Sequence, residues 1–98
     1  MSVGETVRQI AYAEAYRALS RKDMVACKAM GAFARTVRSM RIQSFDQASR
    51  IAQDWSDCAR WATKRRQRKG LARPAEVREN ETAANALAWL AEVIAFRS

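Results

Sequence analysis

Ninety-eight residues, 49% of them hydrophobic, suffice for one folded domain and argue against wholesale disorder. The chain carries 18 basic and 10 acidic residues, a formal net charge of +8, and no histidine. Without histidine there are no Ser-His or Cys-His nucleophile pairs, and two cysteines cannot complete the usual four-ligand zinc site. Three glycines and one proline punctuate an Ala- and Arg-rich sequence, a composition that favours helices joined by short turns. No apolar run is long enough for a bilayer, and the N-terminus lacks a signal-peptide pattern, so a cytoplasmic protein without membrane insertion is expected. Cys27 and Cys58 fall on expected apolar helix faces, where a reduced thiol behaves as a small hydrophobe.

The pattern predicts an all-α fold, a single antiparallel bundle of four helices over about 3–19, 23–41, 45–69 and 75–97. The first opens on Ser2-Val-Gly-Glu5, a capping-box pattern, and carries Val7, Ala11, Ala15, Ala18 and Leu19 on its apolar side, flanked by Tyr12 and Tyr16. Ser20 and Asp23 are both plausible caps for the second. There Ala26, Ala29, Met30, Phe33, Val37 and Met40 recur at spacings of three and four, with Gly31 inside the run.

A second capping box, Ser44-Phe-Asp-Gln47, starts the third helix. Its expected buried stripe is Phe45, Ala48, Ile51, Ala52, Trp55, Cys58, Ala59 and Ala62, and Gly70 is a natural stop. Pro74 suits the first turn of the fourth helix, although a start near Asn80 also fits. The seam of that helix is Val77, Ala84, Leu87, Leu90, Ala91 and Ile94.

Charge is concentrated in Arg60 to Arg73, RWATKRRQRKGLAR, where seven basic residues meet no acid. Outside this window 11 basic residues face 10 acidic ones, so nearly the whole excess sits in one seventh of the chain. On a helical wheel with Trp55 at zero, Arg66 falls near about +20° and Lys69 near about −40°. The apolar stripe thus becomes cationic after Ala62. Burying an unpaired charge is prohibitive, so these last turns should leave the core or fray. Arg60, Lys64, Arg65, Arg66, Arg68, Lys69 and Arg73 are therefore candidate phosphate contacts, with Trp61 beside them to stack a base. The helix dipole and the acids Glu76, Glu79 and Glu81 would offset part of this charge.

Residues 23–42, DMVACKAMGAFARTVRSMRI, resemble the helix-turn-helix pattern of bacterial repressors. Gly31 would be the turn glycine, and Arg35, Arg38 and Arg41 would line the recognition helix. Phe33 and Ala34 stand where that pattern usually has polar residues, and the apolar stripe runs unbroken through Gly31, as in one straight helix. If the fold brings them near the basic block, the three arginines are candidates to extend the nucleic-acid footprint.

The fourth helix has a second apolar stripe, Trp89, Val93 and Phe96, which suggests a homodimer or a protein partner. Acid pairs Asp54/Asp57 and Glu76/Glu79 come with no nucleophile motif and no phosphate-cradling glycine loop, so neither an enzyme nor a cofactor is expected. Two functions follow as expectations. One is mainly electrostatic binding of DNA or RNA with weak sequence selectivity. The other is a helical adaptor or inhibitor, for example a mobile-element protein that blocks a host nucleic-acid-handling complex, its basic block docked on an acidic protein surface.

Overall fold

The computed structural model describes residues 2–97, which form four helices: α1 (Val3–Ser20), α2 (Met24–Val37), α3 (Phe45–Arg68) and α4 (Pro74–Ala95). Side chains define the starts. Ser2 Oγ accepts from the Glu5 N–H at 3.1 Å, Asp23 from the Ala26 N–H at 3.1 Å and Ser44 Oγ from the Gln47 N–H at 3.0 Å. Asp23, not Ser20, is thus the cap of α2. Pro74 opens α4, whose Glu76 carboxylate accepts from the Arg73 N–H at 3.4 Å.

The α1 and α3 ends share one motif. In α3 the Leu71 N–H bonds the Arg66 carbonyl and the Gly70 N–H bonds that of Gln67, both at 3.0 Å, with Gly70 left-handed at φ 68°. In α1 the Asp23 N–H bonds Ala18 and the Lys22 N–H bonds Leu19, both at 2.9 Å. There the left-handed position, φ 62°, is held by Lys22.

The second helix is shorter than expected, ending at Val37 and not near 41. Around its end the hydroxyls of Thr36 and Ser39 bond the carbonyls of Ala32 and Thr36, each at 2.9 Å, and backbone bonds three residues apart tighten the chain. Residues 41–44 then run without helix, and Ile42 and Phe45 pack on the core. Gly31 lies inside the unbroken α2, so residues 23–42 are not a helix-turn-helix. The last helix closes at Ala95, two residues before the expected end.

The helices form two antiparallel hairpins, α1–α2 and α3–α4, joined mainly where α2 lies against α4. A groove lined by Met24, Val25, Lys28 and Ala29 of α2 and by Glu79, Asn80 and Ala83 of α4 shows that these two helices start at the same end. Both hairpin tips therefore point one way along a 46 × 26 × 22 Å body. Between them lies a core of Val7, Met30, Phe33, Val37, Leu90 and Ile94, with the Trp55 ring edge-on to Phe33 at 5.4 Å.

The buried line of α3 is rotated by about 60° from the expected apolar stripe. Cys58 and Ala62 are exposed, and Ser56 and Thr63 are buried in their stead. Ser49 and Ser56 donate 2.7 Å hydrogen bonds to the backbone carbonyls of Ala91 and Ala84. Seven residues forward on α3 matches seven back on α4, an antiparallel register held by hydroxyls. Small side chains on both helices, Ala48, Ala52, Ala84 and Ala91, keep this seam close.

Candidate nucleic-acid interface

Helix α3 stays helical to Arg68, but its contact with the core ends at Thr63. Every residue from 64 to 70 is exposed, so the cationic turns leave the core without fraying. The seven basic residues of the block then divide by their partners. Arg60 is committed inside the hairpin, donating to Ser56 Oγ at 3.0 Å and to Asn85 Oδ1 at 2.8 Å. Arg66 is held by Glu76, with Nε to Oε1 at 2.9 Å, and also donates to the Leu71 carbonyl at 3.3 Å. Glu76 is the acid that folds back on the block. Among the described residues, Lys64, Arg68, Lys69 and Arg73 have no acidic partner, and Arg65 lies over the Trp61 ring at 5.4 Å.

Trp61 is 63% exposed. With Lys64, Arg65 and Arg68 it lines a cleft of about 270 Å³, a flat aromatic wall among three cations on one face of α3. Beyond Lys64 a polar groove of similar size, about 270 Å³, runs between α3 and α4 past Thr63, Gln67, Glu81 and Asn85. Arg21 and Lys22 lie at the tip of the other hairpin, on the same end of the body, with the acids Asp23 and Glu79 nearby.

The other expected contacts lie elsewhere. Arg38 and Arg41 border a 590 Å³ cleft with Glu5 and Arg8, at the end of the body opposite the hairpin tips. Arg35 lies on the outer side of the α1–α2 hairpin. The fold thus does not join these three arginines to the block.

The Trp89, Val93 and Phe96 stripe is also divided. The Trp89 indole N–H donates to Glu14 Oε1 at 2.7 Å, which ties α4 to α1. Glu14, only 5% exposed, is also ion-paired with Arg17. Val93 packs against the core, and Phe96 stands 90% exposed. Sequence reasoning passed over Glu14, Ser56 and Asn85. For Ser56 a signal existed, hydroxyl residues at 49, 56 and 63 in heptad spacing. For Glu14 and Asn85 none did, because each bonds a residue far along the chain.

Both cysteines are free, Cys27 half-buried and Cys58 exposed, and no cluster of three or more His, Cys, Asp or Glu side chains forms among the described residues. Nor is any helix among them long and apolar enough to cross a membrane. Compared with protein-family models, curated proteins and solved structures, this chain matches none of them.

Proposed function

We propose that this chain is a small, non-catalytic, cytoplasmic nucleic-acid-binding protein that holds phosphates electrostatically at the tip of α3. The observation that carries this reading is the set Lys64, Arg68, Lys69 and Arg73, cations without acidic partners among the described residues, beyond the end of the core and beside an exposed tryptophan. Each phosphate they neutralise releases condensed counterions, so affinity falls steeply with salt. Four such contacts give a log–log slope of about −3.6 on duplex DNA and about −2.8 on single strands. Contacts from lysine and arginine to phosphates carry no sequence information, which favours weak sequence selectivity. Trp61 adds stacking for an unpaired base of DNA or RNA.

The test is a salt titration of fluorescence anisotropy with labelled single-stranded and duplex DNA and RNA, with molar mass measured on the same samples. Binding that weakens along these slopes supports the reading. No binding to any of the four at low salt refutes it.

A second reading, a helical adaptor or inhibitor, is favoured by the nearly fully exposed Phe96. Self-association or a partner held through α4 would centre on this ring, and the basic tip would then face an acidic protein surface. Partners that persist after nuclease treatment and in Lys64→Glu/Arg68→Glu, yet are lost in Phe96→Ala, would select this reading over the first.

A further inference from the structure

The α1–α2 hairpin carries an apolar groove on its outer side. Tyr12, Tyr16 and Leu19 stand at i, i+4 and i+7 on α1, all exposed, Tyr16 to 70%. With Ala15, Cys27 and Gly31 they line a groove of about 300 Å³. Lys28 and Arg35, seven residues apart on α2, complete the lining, and no acidic residue takes part.

Gly31 is the informative residue. It sits inside α2 with a helical backbone, where glycine is a poor helix former. A Cβ placed on it would meet only the Arg35 guanidinium, at an ordinary 3.5 Å. No packing inside the chain requires glycine there. The place of the missing side chain is taken by the Arg35 guanidinium, which helps keep Gly31 itself buried; an incoming helix that draws this flexible arm aside can approach the α2 backbone closely.

We infer that this groove docks an acidic amphipathic helix of a protein partner, its apolar ridge between Tyr16 and Gly31 and its carboxylates against Lys28 and Arg35. A second copy of the chain is disfavoured, since it brings the same cations on a body of net charge +8. Lys28 and Arg35 are phosphate donors as well, but the apolar lining of Ala15, Leu19 and Cys27 suits a helix ridge better than a phosphate backbone. The groove belongs wholly to α1 and α2, so its occupancy is independent of nucleic-acid binding at the α3 tip.

The test is a selection from a display library of helical peptides about five turns long, made against the immobilised full-length protein. Selected peptides are then titrated against variants. The expected winners carry large apolar residues at i, i+3 or i+4 and i+7 flanked by Asp or Glu, and lose at least about tenfold in affinity on Gly31→Leu and on Lys28→Glu/Arg35→Glu. Replacing a mid-helix glycine with leucine should also raise the Tm, by roughly 4 °C. Weaker binding by a more stable protein cannot be misfolding. Tyr16→Ala, at an exposed position, supplies the same test should Gly31→Leu lower the Tm. A selection that yields no helical binder, or winners indifferent to both Gly31→Leu and Tyr16→Ala, overturns the proposal. So does loss of oligonucleotide binding on Gly31→Leu, which would assign the groove to nucleic acid.

Discussion

Lys22 closes α1 in a left-handed conformation, φ 62°, that an L side chain disfavours. The hydrogen bonds of this turn, Asp23 N–H to Ala18 and Lys22 N–H to Leu19, are made by backbone alone and survive any replacement except proline. Lys22→Gly therefore relieves strain without removing a bond. The relief is about 1–2 kcal/mol, and the extra freedom of glycine in the unfolded chain returns about 0.4–1 kcal/mol of it. A net gain of about 0.5–1 kcal/mol remains, which for a domain of this size raises the Tm by roughly 2–8 °C. Gly70→Ala is the converse experiment. Gly70 has φ 68° and open space around the Cβ position, so alanine meets no clash and its cost, about 1 kcal/mol, is purely conformational. Thermal unfolding by circular dichroism, with urea titration for the free energies, reads both variants. Opposite signs at the two positions are required. If Lys22→Gly leaves the Tm unchanged or lowers it, the strain assigned to this turn does not exist.

Trp89→Phe keeps most of the ring but takes one donor from the buried Glu14 carboxylate, so urea unfolding should show a loss of about 1.5–3 kcal/mol. Ser56→Ala breaks the 2.7 Å bond to Ala84 and removes one acceptor of Arg60, and should cost about 1 kcal/mol in the same assay. Arg66→Ala should lower stability by less than about 1 kcal/mol and barely change nucleic-acid affinity, because Glu76 already holds that guanidinium. Arg68→Ala should instead reduce the salt slope by about 1, since no acid among the described residues engages it. Trp61→Ala should weaken single-strand binding by about 1–3 kcal/mol in anisotropy titrations and leave duplex binding unchanged.

Helix number, type and most boundaries were legible in the sequence because they rest on local chemistry. A hydroxyl or carboxylate three residues ahead of a free N–H, a glycine at a helix end and a proline at a helix start act without reference to the rest of the fold. The α2 end was less legible, since Met40 continued the apolar spacing while Thr36 and Ser39 drew carbonyls into tighter turns. The candidate site was partly legible. The charge focus follows from a stripe that turns cationic once the core ends, whereas Trp61 lies to one side of that stripe, where the sequence allows either exposure or cover by a neighbouring helix. Which cations are already occupied did not follow, because Glu76 and Asn85 reach Arg66 and Arg60 from the neighbouring helix.

The sequence by itself determined an all-helical chain with its charge concentrated at the end of the third helix, because capping, periodicity and charge act over one or two turns. Tertiary packing alone decided three further things. It turned α3 so that Ser56 and Thr63, not Cys58 and Ala62, face inward, because close approach to α4 favours small side chains whose hydroxyls find carbonyls. It bound the Trp89 indole N–H to Glu14 while leaving that ring, like Phe96, exposed. It brought both hairpin tips to one end and carried Arg38 and Arg41 to the other, since helix direction is set by which faces must be buried together.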